Sequence, residues 1–459
     1  MSDPSPGTSG SGLGPDGIRR WALALLVLAA IPDVLPYAGL KSLIGERFGK
    51  SDAETQLFAV AALLGALFAV PLLRYLRQKS PRRVFAVAAL VQAFSVGIMA
   101  LPISWEFLLA LRCIQGGADL LTLVTLTTVV ASHARGTGRG FGASGSAVLF
   151  GLAIGLAGGG VLSSLAPLAV FPLCALVSLL MALAAAGLPA LHVSTHRPTR
   201  RRRFDRQIIL GGAFAASDRM ISGMMTVSFP LLLVATMGLS ESIIGAILAA
   251  PLLACAFGGF FSGMLIDRIG GILGRAVGVP LQAVGLGLIV LSSGQVGLLI
   301  IGTVLLAVGA TILLPTAMVI GTSRRTDQVE VDAVGGIQAI GQGGHLFGVL
   351  LIGLLTVLAG QVTTTGIVLI LGAYLAWNGV FLYALRDQTA SNPRPGPQFP
   401  LGARQLVGPR PARTVRTNRT ALIEPLVDTY DGPRPDPNPK VVDEECPSTN
   451  TNASKTVNS

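Results

Sequence analysis

Nine polar or ionisable side chains interrupt stretches that are otherwise apolar: Asp33, then Arg112, Gln115 and Asp119, then Asp218 and Arg219, then Gln338, Gln342 and His345. Carboxylates, guanidiniums and an imidazole in such surroundings suit two kinds of chemistry. They can pair as ions that fix helix packing, for instance Arg112 with Asp33 or Asp119. They can also load and release protons, because burial favours the neutral carboxyl while a nearby arginine favours the anion, so a carboxylate that changes partner gains and loses a proton. Asp33 is the first candidate for the second role. It lies between Pro32 and Pro36, which donate no backbone hydrogen bond and free carbonyls one turn back. Arg112, Gln115, Gly116 and Asp119 follow the i, i+3, i+4, i+7 spacing of one helix face, expected to look into a cavity. Asp218 shares its face with Ser222 and Met225, and His345 could carry a proton near neutral pH or serve as a packing residue. Met220, Met224, Met225 and Phe229 offer soft contacts to an apolar ligand.

The elements that must hold these groups are long apolar helices. Hydrophobic residues make up 51% of the chain and charged residues 12%. Twelve apolar stretches begin near Trp21, Thr55, Val84, Phe107, Gly142, Leu168, Gln207, Glu241, Ile272, Val296, Val334 and Thr363. Each is long enough for the roughly 20 residues that a bilayer crossing needs. No ten-residue alternation of the barrel kind occurs, and lipid permits only helices or closed barrels. The expected fold class is all-α, a polytopic membrane protein of 12 transmembrane helices in two six-helix bundles with pseudo-two-fold symmetry. Ionisable groups inside such helices cost about 2.5–3.5 kcal/mol each near the centre and so mark function.

Positive charge sets the orientation. Twenty Lys and Arg residues fall at the ends and the even-to-odd loops, six of them between Arg197 and Arg206, with Arg268, Arg275 and Arg386 also on that side. The opposite side holds Lys41, Arg47 and Lys50. Both termini are expected in the cytoplasm, the protein in the cell membrane, with the first helix as an uncleaved insertion signal. The net charge of +11 is read as topology and attraction to anionic headgroups, so no nucleic-acid partner is expected. Cys113, Cys174, Cys255 and Cys446 show no metal or disulfide spacing.

These features divide the chain into a polar cytoplasmic N-terminus (1–20), an N-terminal six-helix bundle (21–190), a basic cytoplasmic linker (191–206), a C-terminal six-helix bundle (207–386) and a disordered cytoplasmic tail (387–459) rich in Pro, Asn, Thr and Arg. Helices two to six begin 186 to 195 residues before helices eight to twelve. Such repeats build secondary transporters whose halves rock around a central site.

Gly263, Asp267, Arg268 and Gly270 form Gly-x-x-x-Asp-Arg-x-Gly where the eighth helix ends. This resembles the loop motif of the major facilitator superfamily, in which it helps latch the cytoplasmic side shut. Gly263 would permit close packing, Asp267 would meet the positive end of a neighbouring helix, and Gly270 would permit the turn. The corresponding first-half segment, Pro71 to Arg83, keeps its basic residues but lacks the aspartate and glycines. Arg112, Gln115 and Gly116 resemble the Arg-x-x-Gln-Gly signature of proton-coupled members. Gly151, Gly155, Gly158, Gly159 and Gly160 resemble the glycine-rich antiporter signature, with Leu156 in place of its proline. Gly151, Gly155 and Gly159, four residues apart, also form a helix-packing face that could act as a hinge or sliding surface between bundles. The resemblance covers Trp21 to Arg386 and implies that the first, fourth, seventh and tenth helices line a cavity.

The expected function is therefore a secondary active transporter, not an enzyme, moving a small organic solute by alternating access as proton-coupled efflux. Its partners would be the lipid bilayer, the solute and protons, with no cofactor or metal, and the chain a monomer. Two alternatives remain: uptake of a metabolite whose anionic group meets Arg112 or Arg219, and a non-transporting membrane sensor or scaffold. No loop joins a nucleophile, base and stabilising group, and no Gly-x-x-x-x-Gly-Lys-Ser/Thr sequence occurs.

Overall fold

The computed structural model describes residues 14–76, 80–134, 137–187, 206–292, 295–322, 331–359 and 364–391. The basic linker from 188 to 205, the tail from 392 onward with Cys446, and the first thirteen residues lie outside them. The described residues all fall within one compact unit.

The helices are α1 (Pro15–Val34), α2 (Asp52–Thr55), α3 (Leu57–Phe68), α4 (Val70–Leu76), α5 (Pro81–Met99), α6 (Trp105–Ser132), α7 (Thr137–Leu165), α8 (Val170–Ala184), α9 (Arg206–Met237), α10 (Glu241–Ile269), α11 (Gly271–Leu291), α12 (Val296–Thr322), α13 (Val331–Ala359) and α14 (Thr364–Ser391). Helices α3 and α4 together make one interrupted span, with the short α2 preceding it outside the apolar segment, which brings the crossings to twelve. Among the described residues eight helices are long and apolar enough to cross a bilayer, and Leu57–Leu73 and Ile367–Tyr383 are shorter apolar segments. The remaining two, α1 and α9, hold Asp33 and the Asp218-Arg219 pair. Three helix ends differ from expectation: α1 begins inside the segment read as a polar terminus, α9 begins at Arg206, the last residue of the segment read as a linker, and α14 runs to Ser391, past residue 386.

Apolar side chains serve two surfaces. Phe58, Phe85, Phe171 and Phe214 are fully buried, whereas Phe68, Phe94, Leu165 and Leu183 stay largely exposed on the rim. A soluble protein would rarely show so much large apolar surface. Lipid is its solvent.

Proline decides where α1 ends. Pro36 has no N–H to return to the carbonyl of Pro32, which instead accepts from Cys174 Sγ at 3.7 Å. The Tyr37 amide turns to Val34 O at 2.9 Å, leaving the carbonyl of Asp33 without its helical partner. A π-helical segment, Lys41–Glu46, completes the crossing.

Glycine decides how the halves meet. A Cβ on Gly142 of α7 would lie 2.6 Å from Gly259 O of α10, and one on Gly160 would lie 2.5 Å from Glu241 O. These helices therefore touch backbone to backbone at both ends of α7. Gly151, Gly155 and Gly159 do not form that surface: their missing side chains would strike Val27 O and Ile31 O of α1 and Leu35 O just past its end, in the same half. Gly151 follows Gly142 by nine residues, two and a half turns at 3.6 residues per turn, and so points the opposite way. The second inter-half seam joins α13 to α3 and α4, with Gly353 against Gln56 and Gly335 against Leu73.

Candidate functional site

A cavity of about 250 Å³ lies between the halves, walled by α1, α3, α6 and α7 from the first and α9, α12 and α13 from the second. Most of its wall is Ala, Leu and Val; its ionisable and amide groups are Asp33, Tyr37, Asp119, Asp218, Arg219, Gln342 and His345. Asp33 keeps 38% of its side-chain surface free although it sits at the break of a membrane helix. That freedom is space in the cavity.

Three expectations change here. Arg112 and Gln115 share the α6 face of Asp119, yet they do not line the cavity: each is 1% exposed. Arg112 stands behind Asp33, its Nη2 donating to the Asp33 carbonyl at 3.2 Å and to Tyr37 Oη at 3.1 Å, and its Nη1 to Gln115 Oε1 at 2.6 Å. The same Nη2 lies 3.6 Å from Asp33 Oδ1. Phe58 caps the guanidinium 4.6 Å from its ring centroid, a cation–π contact. The carbonyl that proline frees is thus one of the anchors of Arg112. Asp119 does not pair with Arg112; its Oδ1 accepts from Gln92 Nε2 at 3.1 Å.

The methionine reading also changes. Met220 and Met224 are buried in the core with Ile221, Leu286, Ile370 and Tyr374, Met225 packs against that cluster, and Phe229 joins a separate apolar cluster. None of the four lines the cavity, where Met318 does.

Arg275, counted in the sequence as a loop charge, is fully buried within α11. Its Nη2 and Nη1 bind Asp218 Oδ1 and Oδ2 at 2.7 and 3.0 Å. Its Nε donates to Asn378 Oδ1 at 2.9 Å, and Nη2 also reaches Ser217 Oγ at 2.9 Å. The Phe214 ring lies 4.0 Å from the guanidinium carbon. Tyr374 donates to Gln282 Oε1 at 2.6 Å one layer further out. Arg219 instead donates from Nη2 to Gln338 Oε1, and Gly341 passes within contact of its side chain.

Sequence reasoning missed Tyr37, Gln92, Arg275 and Asn378. Tyr37 carried a signal, four residues after Asp33 and so on its side of a helix. Gln92 was a lone amide in an apolar run. Asn378 showed no pattern at all.

A separate cluster of contacts lies at the α10–α11 turn. Asp267 accepts from the backbone N–H of Gly138 at 2.7 Å and of Arg139 at 3.0 Å, the first turn of α7, where helix dipole and unpaired donors favour an anion. Arg139 Nε lies 4.0 Å away, and Arg268 is exposed. Gly270 takes φ +82° and closes α10 through its N–H to Ile266 O at 2.8 Å, a conformation only glycine adopts cheaply. Gly263 has no room for a Cβ against the Gly138 carbonyl.

Among the described residues no group of His, Cys, Asp and Glu could hold a metal ion, and Cys113, Cys174 and Cys255 are free thiols.

A family model described as Major Facilitator Superfamily matches residues 22–210 and 208–427. Among solved structures the fold is similar to that of a bacterial homolog of the human lysosomal transporter Spinster, in an inward-facing, unoccupied conformation, at 13% identity and a TM-score of 0.61 over 82% of this chain and 98% of that one. No curated protein matches the sequence.

Proposed function

The chain belongs to the major facilitator superfamily, and on that premise we propose that it is a proton-coupled exporter of a small amphipathic organic solute, with both termini in the cytoplasm. Membership makes it an integral membrane transporter, its two halves exposing a central site to each side in turn. The observation that carries the finer reading is Asp119. It lines the cavity between the halves, its carboxylate has a neutral amide for partner, and among the described residues no cation lies within 4.0 Å. An anion so placed is costly in a membrane interior, and protonation removes that cost.

Asp33 and Asp218 are less suited to carry the proton, since Arg112 and Arg275 already answer their charges. A proton and a cationic group of the solute would compete for Asp119. Competition at one carboxylate couples inward proton flow to outward solute flow. Asp267 on the α7 N-terminus is assigned to holding the cytoplasmic side closed while the site faces outward.

The test is flux in proteoliposomes with an imposed pH gradient, against solute counterflow without one. Asp119→Asn should abolish gradient-driven flux and retain counterflow. Gradient-driven flux that survives in Asp119→Asn and disappears in Asp33→Asn would transfer the proton to Asp33. Gradient-insensitive flux in the unmodified protein would remove proton coupling altogether.

A further inference from the structure

The charges around the cavity are not equally available to a ligand. Asp33 with Arg112, and Asp218 with Arg275, are pairs whose charges cancel. Two charges remain, one on each half. Asp119 of α6 is held by Gln92, and Arg219 of α9 is held by Gln338. Both holders are neutral amides, and among the described residues neither charge has an ion-pair partner within 4.0 Å. Both side chains line the same cavity, whose remaining wall is mainly aliphatic.

We infer that the cavity is built for a zwitterionic amphipathic molecule, its ammonium at Asp119, its carboxylate or similar acid at Arg219, and its apolar body along the aliphatic wall. This rests on the transport reading above and names the solute class for that site. A planar guanidinium can take a carboxylate through two parallel hydrogen bonds, and Gln338 fixes one of its nitrogens in advance. A solute with only an amine leaves Arg219 unanswered in a water-poor site, and a solute with only an acid leaves Asp119 unanswered. A site of buried polar groups rejects a ligand that leaves one of them unpaired far more strongly than an apolar pocket rejects a missing methylene. Because the two charges sit on different halves, a zwitterion also bridges them, so its binding favours the arrangement in which the halves are closed around it.

The experiment uses the full chain in lipid nanodiscs and calorimetric binding of two matched probe sets. One set is homophenylalanine with 3-phenylpropylamine and 4-phenylbutanoate, which lack the acid and the amine in turn. The other, for charges set further apart, is 8-aminooctanoate with octylamine and octanoate. In at least one set the zwitterion should bind at least about tenfold more tightly than either parent, which corresponds to about 1.4 kcal/mol. Asp119→Asn should erase its advantage over the acid, and Arg219→Gln its advantage over the amine, while Arg219→Lys retains part of the latter. If in both sets the amine or the acid binds as tightly as the zwitterion, the inference is overturned. Failure of the transport reading looks different: a zwitterion that binds with the stated preference yet is moved in neither direction across a proteoliposome membrane.

Discussion

Arg275 and Asp218 form a bidentate ion pair, 2.7 and 3.0 Å, in which the guanidinium has no exposed surface and the carboxylate keeps 12% of its own facing the cavity. The arginine also takes Asn378 and Ser217, so all its donors toward that side are used. Removing one member of a buried pair strands the other and costs about 3–5 kcal/mol, whereas replacing both by apolar or neutral groups is often nearly neutral. Arg275→Met should therefore destabilise the protein by that amount, and Arg275→Met with Asp218→Asn should recover most of it. Denaturant or thermal unfolding in nanodiscs measures both. A double variant as unstable as the single one would mean that the arginine acts through packing alone.

The Asp267 contact to α7 makes a conformational prediction. Its two backbone hydrogen bonds are charge-assisted and each is worth about 1.5–3 kcal/mol. They exist only while α10 touches the first turn of α7, so losing them penalises one state of the cycle and leaves the other unchanged. In Asp267→Ala the population with these ends together should fall about tenfold or more. Spin labels placed on the termini-side ends of α7 and α10 read this directly; an unaltered distance distribution would deny the contact any part in the equilibrium.

Gly142 and Gly158 give a paired test of the seam between halves. Valine at 142 would meet Gly259 O and Gly263 Cα within 2.7 Å, whereas nothing lies within 4 Å of a Cβ at 158. Overpacking of this kind costs about 1–3 kcal/mol. Gly142→Val should hold the halves apart and slow transport about tenfold or more, in line with that energy. Gly158→Ala should leave transport and stability unchanged. A Gly142→Val variant as active and stable as Gly158→Ala would show that α7 tolerates side chains on either face.

How much of this could be read in the sequence follows the range of the interactions. Twelve crossings were legible because each depends on composition over about 20 residues, and Asp33, Asp119, Asp218 and Arg219 stood out because a charge in an apolar run is itself the signal. Arg275 was misread for the same reason: four residues from a turn it resembles a topological charge, and only Asp218 and Asn378, 57 and 103 positions away, draw it inward. Without it the loop asymmetry is still nineteen against three. The glycine stripe at 151, 155 and 159 was legible as a packing face, but spacing alone could not say whether α1 or α10 lay against it. Which polar residues of one helix face reach the cavity also depended on Pro36, which shifts the α1 backbone so that Arg112 is enclosed behind Asp33.

At the opposite end of the membrane, Ser51 and Glu54 form a capping box at α2: the Ser51 N–H and Oγ donate to Glu54 Oε2 at 3.0 and 2.9 Å, and the Glu54 N–H returns to Ser51 Oγ at 3.3 Å. The hydrogen bonds from Ser51, then that from Lys50, hold the Glu54 carboxyl below its usual value. A depressed folded value contributes stability that is present above the unfolded carboxylate value, about 4.3, and is lost as pH falls through the folded one. Lys50 Nζ also lies 5.9 Å from the Trp105 ring. Trp105 emission, with the other two tryptophans replaced, should therefore change on acidification below about pH 4, and Glu54→Gln should remove that change.

Gln56 supplies the last prediction. It is 2% exposed, and among the described residues neither its Nε2 nor its Oε1 has a hydrogen-bond partner. A Cβ on Gly353 of α13 would lie 2.9 Å from that Oε1, so the amide is enclosed where α13 from the second half covers the start of α3 in the first. A buried amide left unpaired costs about 1–3 kcal/mol, and separation of the halves at this end would return it to water. The amide thus opposes closure here and favours opening. Gln56→Leu, of similar volume without the polar atoms, should shift the population toward the closed end by about that energy, roughly tenfold for each 1.4 kcal/mol. Label pairs on the outer ends of α3 and α13 measure the shift. A population that stays the same, or moves toward open, would mean that water already reaches Gln56 in the closed state.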